Sequence, residues 1–344
     1  MSLLDNPLWK KVIDQDAAKA QLLKIVENSN KYMPQSWLIT GPPGSGRTTL
    51  AKAFAASLVN SEKFANNPDI RFITTQKPEY SVANIREVLD EAKTYPIISN
   101  YKVFIIEDVD RMSAQAANLF LKNLEEPDDF IIWILCTTNP RDVLITIRSR
   151  CSKIELKTPS VQAIAEALEN ETGVNSSLAE ACARVSGNHI GLARKYAMQP
   201  KLLETRSHLL RQILNIASFS DVVLLADEIE KSAAYNAEKI VAELDLNAQD
   251  KKRQATRIKK DELDLILISI LTLYRDVFMA KTALTDNLIN YNLRESIINF
   301  SDIISISRLI WCIKQINIAR VRIKSNAQTL MILEALLGTL NSRL

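Results

Sequence analysis

Five short apolar runs mark the first half of the chain, at Trp37–Thr40, Asp69–Thr74, Lys102–Glu107, Phe130–Thr137 and Lys153–Leu156, and segments with helical spacing separate them. This alternation predicts an α/β domain built on a parallel sheet. Val103–Ile106 and Phe130–Leu135 are continuously apolar rather than alternating, the pattern of strands covered by helices on both faces. After Thr158-Pro159 the strand-like runs stop, and the chain as far as Gln199-Pro200 reads as short helices with polar joints. From residue 201 onward Leu and Ile recur at helical spacing through Leu263–Phe278 and Ser307–Ile323, and Gly338 is the only glycine, so this part reads as all-helical. The expected domains are therefore 1–157, 158–200 and 201–344, with no repeat of fixed period and no low-complexity tract.

A length of 344 residues supports two or three such domains, each able to bury a core. Lys and Arg total 43 against 40 Asp and Glu, and this balance of +3 argues for neither nucleic acid nor a membrane surface by itself. Locally, Lys251, Lys252, Arg253, Arg257, Lys259 and Lys260 precede Asp261, Glu262 and Asp264. Two readings of that segment stand: a solvated helix face laced with i,i+4 ion pairs, or a patch that touches phosphate backbone without reading bases. The four cysteines, Cys136, Cys151, Cys182 and Cys312, form no C-x-x-C pair, so neither a zinc site nor a disulfide framework is expected and a reducing, cytoplasmic setting fits best. The first residues include an early acid and no apolar core, against a secretory signal, and no apolar run approaches the ~18–20 residues of a membrane span.

Three of the seven glycines fall in Gly41-Pro42-Pro43-Gly44-Ser45-Gly46-Arg47-Thr48-Thr49, directly after the first apolar run. This is the spacing of a phosphate-binding loop, G-x-x-x-x-G-K-[ST], in which backbone N–H groups wrap the phosphates, a lysine reaches the β and γ oxygens and a hydroxyl holds magnesium. Here Arg47 stands in the lysine position. The third run ends in Glu107-Asp108-Val109-Asp110, which delivers acids to the carboxyl edge of the sheet, where open α/β folds bind ligands. The usual order is Asp for magnesium and then Glu for the attacking water. Inverting it shifts each reach by one methylene, about 1.5 Å, and misplacements of that size cost roughly 100-fold in rate. A strand end with merely solvated acids is the competing reading.

Further on stand Leu121–Pro127 (LKNLEEP), Leu135–Pro140 (LCTTNP) and Ile145–Cys151 (ITIRSRC). With the glycine loop and the acidic strand end, in this order and spacing, they resemble the AAA+ subunits of the bacterial sliding-clamp loader, and among these the delta-prime type of DNA polymerase III. The resemblance extends over the whole chain, since Tyr274–Phe278 and Ser325–Leu337 look like the helical C-terminal domain of that type. It implies an α/β AAA+ P-loop NTPase-type domain with a parallel sheet, then a small helical lid and an all-α C-terminal collar. It also implies that Gly41 to Thr49 form the nucleotide loop, Glu107 and Asp108 the acidic strand end, and Thr138 a polar sensor beside the γ-phosphate. Arg150, in the SRC motif, would be an arginine finger aimed at nucleotide held by a neighbouring subunit; a helix-end arginine in a local salt bridge is the plainer alternative. The implied partners are gamma/tau and delta subunits, with the sliding clamp and primed DNA reached through the complex and no membrane.

The departures from that family form a pattern. Arg47 replaces lysine, Glu107-Asp108 inverts the acidic pair, and Gly191 stands where active members carry a sensor arginine, with Arg194 about one turn later. Each change weakens hydrolysis in the chain's own site, while Arg150 is retained. Arg47 keeps its charge, so ATP with magnesium remains compatible with the loop, and the sequence leaves open whether nucleotide is bound. The cysteine-rich zinc module that such subunits often carry is missing, since residues 59 to 100 contain no cysteine. The expected role is a ring subunit with weak or absent ATPase activity of its own, associated with DNA polymerase III by complex membership rather than by a polymerase site. An active gamma/tau-type ATPase and a nucleotide-independent scaffold are the rivals. His189 and His208 are expected at the surface or in packing, Trp133 in the core, Trp9 and Trp311 at domain or subunit surfaces, and Cys151 as a buried thiol.

Overall fold

All five apolar runs form strands: β1 (Ser36–Thr40), β2 (Ile70–Ile73), β3 (Lys102–Ile106), β4 (Ile131–Thr137) and β5 (Ser152–Glu155). They pair in the order β2-β3-β4-β1-β5 and every pairing is parallel. The structure is a computed structural model that describes residues 6–27, 33–61, 67–75, 79–242, 248–285, 288–324 and 327–340. The opening five residues, and Ser325 and Asn326 of the C-terminal stretch, therefore lie outside the described residues. The described chain divides into two compact units, Met1–Arg194 and Lys195–Leu344.

In the first unit, β1, β3 and β4 are buried at every position, whereas the edge strands β2 and β5 are partly open. Alternation of side chains along each strand splits the apolar runs between two cores. Trp37, Ile39, Val103, Ile105, Ile132 and Ile134 join one core with α1 (Pro7–Lys10), α2 (Asp16–Glu27) and α3 (Arg47–Leu58). Leu38, Phe104, Ile106, Trp133 and Leu135 join the other with α4 (Val82–Ala92), α5 (Ala114–Glu125) and α6 (Ile145–Arg148). Trp133 is fully buried, as expected, edge-on to Phe120 at 4.8 Å. Trp9 corrects its expectation: it is 3% exposed, sits in the first core, and donates its indole N–H to Ser57 Oγ at 2.8 Å. A short helix capped by Asn6 places it there, beneath a face of α3 that is apolar along almost its whole length.

After β5, α7 (Val161–Thr172) is capped by Ser160 and stopped by Gly173 in the left-handed region, and α8 (Ser176–Val185) is capped by Asn175. Then α9 (Ile190–Met198) follows. Ile164, Leu168, Ala179, Cys182 and Ala183 are the buried side of α7 and α8.

The second unit contains α10 (Pro200–Leu214), α11 (Phe219–Ala242), α12 (Ala248–Lys281), α13 (Arg294–Ile303), α14 (Ile306–Lys324) and α15 (Thr329–Leu340). Their apolar stripes close one core that includes Leu267, Tyr274, Ile297, Leu309, Ile316 and Leu337. In the basic segment, Arg257 lies 3.8 Å from Asp261 one turn on, while Lys259 reaches across to Glu230 of α11 at 2.7 Å. Among the described residues no single helix is long and apolar enough to cross a membrane.

Candidate nucleotide site and a separate arginine

β1 ends at Thr40 and α3 begins at Arg47, so the glycine loop is the turn between the strand flanked by β4 and β5 and the helix that covers it. Because every strand is parallel, the same carboxyl edge receives Glu107 and Asp108 from β3 and Thr138 from β4. Gly44 (φ +79°) and Gly46 (φ +94°) take left-handed torsions that favour glycine. Gly46 is the N-cap of α3 and no side chain caps that helix, which turns its first N–H groups toward an incoming anion. Gly41 is glycine for space: a Cβ there would lie 2.8 Å from Leu156 Cβ and from Ser45 Oγ.

Among the described residues, Ser45 Oγ, Arg47 Nη1 and Glu107 Oε1 are buried polar atoms without a hydrogen-bond partner. Native interiors rarely leave such atoms orphaned, and a phosphate oxygen is an acceptor suited to both Ser45 and Arg47. The loop therefore fits a phosphorylated ligand, with Arg47 giving the positive charge that lysine ordinarily gives. The acidic strand end fits magnesium less well. Burial pushes the Glu107 carboxyl above its usual range, the neighbouring Asp108 adds to the rise, and a hydrogen bond from Thr48 with the charges of Arg47 and Lys52 opposes it. The Thr48 hydroxyl that would hold the metal lies close enough to the Glu107 carboxyl to lower its pKa. Tyr80 fixes this strand end by donating its hydroxyl to the Glu107 carbonyl at 2.7 Å. Asp108 is left-handed (φ +47°) and lies 3.6 Å from Arg111, pairing locally as a solvated acid does. At the end of β4 the engaged hydroxyl is that of Thr137, which donates to Asp110 at 2.5 Å and accepts from the Asn139 amide at 3.1 Å; its neighbour Thr138 is half-buried.

His189 rests directly on the loop. A Cβ on Gly44 would lie 2.3 Å from His189 Cγ and 2.6 Å from its Cα, and Ile190 donates its amide to the Gly44 carbonyl at 3.2 Å. Burial, with the charge of Arg47, lowers the His189 pKa, and its Nδ1 accepts from the Leu192 amide at 3.2 Å. Replacing Gly44 with alanine is accordingly expected to destabilise the first unit by roughly 2 kcal/mol, from a left-handed non-glycine residue and a backbone clash that cannot rotate away. Thermal unfolding checks the size, and faster hydrogen exchange at the Ile190 amide checks the place; an unchanged amide would show that the contact is dispensable. Arg194 does not take the sensor position left by Gly191. It is held by Glu171 through two hydrogen bonds, 2.6 and 2.7 Å.

Arg150 is anchored elsewhere, by Glu125 Oε1 on Nη2 at 2.5 Å and by the Thr146 carbonyl on Nη1 at 2.9 Å. Beside it, burial pushes the Cys151 thiol up to about 12, in keeping with an inert buried cysteine. Sequence reasoning did not single out Glu125, the Thr137–Asp110 pair or the contact of His189 with Gly44. Glu125 stood in a quoted motif, but nothing in its spacing pairs it with Arg150.

A sequence family described as DNA polymerase III, delta subunit, matches residues 15–160. The chain is 34% identical over 161 residues to DNA polymerase III subunit tau of Bacillus subtilis, an alignment that covers 42% of this chain and 28% of that protein. It is 28% identical over 298 residues to DNA polymerase III subunit gamma of Buchnera aphidicola subsp. Schizaphis graminum, covering 80% of this chain and 78% of the relative. With DNA polymerase III subunit delta' of Bacillus subtilis it shares 26% identity over 220 residues, 59% of this chain and 65% of the relative. The family match takes in the glycine loop, the acidic strand end and the SRC motif, and that domain of the chain, residues 15–160, is of the DNA polymerase III clamp-loader type with an AAA+ fold.

Proposed function

We propose that this chain is a delta-prime-type subunit that completes the clamp-loader ring without turning over ATP itself, and that it presents Arg150 to ATP held by a neighbouring gamma/tau subunit. The observation that carries the reading is the contrast between the two places. At the nucleotide loop, Arg47 replaces lysine, the half-buried Glu107 keeps one carboxylate oxygen out of solvent and unpaired, and Arg194 is held by Glu171. Arg150, in contrast, has a side chain 35% exposed and is held locally by one ion pair and one hydrogen bond, which leaves further N–H donors for an anion. A guanidinium placed at the γ-phosphate of a neighbour neutralises charge that spreads over the equatorial oxygens in phosphoryl transfer. ATP binding by the ring would then open the clamp, and hydrolysis would release it on primed DNA.

The second unit supports a role as a helical collar with gamma/tau and delta partners. α14 exposes Ile306, Ile310, Trp311 and Val321, a large apolar set for a water-facing helix. The likeness to the Buchnera gamma subunit, matched over most of its length, favours one second reading, that of a gamma/tau-type subunit, which we would expect to hydrolyse ATP itself. The test is ATP hydrolysis by the purified chain with and without primed DNA and clamp. Turnover at background, rising only when gamma/tau and delta subunits are added, is expected; robust turnover by the chain alone would make it a motor despite Arg47.

A further inference from the structure

We infer that Glu125 is the positioning residue for Arg150, holding its guanidinium ready for the nucleotide of the neighbouring subunit; this rests on the reading of Arg150 as a finger that acts in trans. Glu125 is the last residue of α5, whose end is pinned by the buried Phe120 and Leu124. Thr146 lies on α6, pinned by the buried Ile147. The carboxylate and the carbonyl therefore sit on separate elements, and together they restrain the guanidinium through an ion pair at Nη2 and a hydrogen bond from Nη1. Further N–H donors of the guanidinium remain for an anion. An arginine without such anchors spreads over many rotamers and must lose that freedom when it docks, whereas one held beforehand has already lost it. The side chains of Arg150 and Glu125 are 35% and 46% exposed, so an anion can reach the guanidinium while Glu125 keeps its hold on Nη2.

The experiment is steady-state, DNA- and clamp-stimulated ATP hydrolysis by the loader reconstituted from this chain with gamma/tau and delta subunits. Glu125→Ala is expected to lower kcat at the site this chain faces by about fivefold, the size an exposed ion pair supports, with KM for ATP unchanged. Glu125→Gln keeps an oxygen beside Nη2 but removes the charge, and is expected to fall between the parent and Glu125→Ala, at about twofold below the parent. In an Arg150→Ala background, Glu125→Ala is expected to cost nothing more, because it acts through the guanidinium. Unchanged or faster turnover with Glu125→Ala, equal losses for Gln and Ala, or a further loss in the Arg150→Ala background would each overturn the assignment. Full turnover with Arg150→Ala itself would instead remove the finger reading on which the assignment stands.

Discussion

Turnover at the ATP site that the proposed ring would set beside this chain is expected to fall by about 10³-fold or more when Arg150 is replaced by alanine, a loss of roughly 4 kcal/mol of transition-state stabilisation. In the whole loader, where other sites continue, the same change appears as reduced DNA- and clamp-stimulated hydrolysis and as slower placement of the clamp on primed DNA. The size follows from chemistry. Phosphoryl transfer leaves the enzyme little to do besides positioning and charge stabilisation, and a guanidinium fork meets two phosphate oxygens at once. Lysine carries the charge without the fork, so Arg150→Lys is expected to restore only part of the rate. Loss of folding would not explain the result. The local partners of Arg150 are one partly exposed carboxylate and one carbonyl, and surface pairs of this kind contribute little to stability. A melting midpoint within a degree or so of the parent, together with normal assembly into the ring, would assign the defect to catalysis in trans. Full activity of the Arg150→Ala ring would leave the chain a scaffold.

The parts of this molecule legible in its sequence are those fixed by local rules. Burial on both faces writes a strand as an unbroken apolar run, and each predicted run became a strand whose ends lie within one residue of those expected. The loop was legible because torsions such as those of Gly44 and Gly46 restrict the residue type. Contacts between distant segments were not legible. His189 seats on Gly44, Glu171 captures Arg194, and Glu125 captures Arg150 only because helices separated in sequence are docked side by side. Neither helical period nor charge count carries that information. Trp9 failed for a related reason: a polar neighbourhood in sequence, NPLWKK, surrounds a side chain whose burial depends on α3. The basic segment left open an ion-paired helix face and a patch that touches phosphate, because a string of charges does not show which cations are paired; Arg257 lies by Asp261 along α12 and Lys259 pairs with Glu230 of α11.

The polar interior of the second unit was hidden in the same way, and it sets the largest stability effect expected here. Asp276 of α12 is fully buried and accepts from the Ile289 amide (3.0 Å), the Asn290 amide (2.6 Å) and the Asn290 side-chain amide (2.8 Å), besides Arg275 (2.9 Å). Asn290, also fully buried, turns its carbonyl oxygen to Arg206 Nη1 at 2.7 Å, and the same guanidinium reaches Ser269 and Thr272. A charged arginine only 6% exposed is thus balanced by a carboxylate through one asparagine, while burial itself pulls the Arg206 pKa down. Replacing Asp276 with alanine removes the balancing charge, opens a small cavity and leaves two backbone amides without acceptors, and is expected to cost about 3–5 kcal/mol. Glu295→Ala, at an exposed position on α13, is expected to stay within about 0.5 kcal/mol. Urea unfolding followed in the second unit would measure both, with hydrogen exchange at Ile289 and Asn290 locating the loss, since a chain of two units need not unfold in one step. Arg206→Met combined with Asp276→Leu is expected to cost less than the sum of the single changes, because an unpaired buried charge is worse than an apolar pair. If Asp276→Ala proves as mild as Glu295→Ala, then water rather than Asp276 satisfies this turn, and the network is not what holds α12 to the segment that leads into α13.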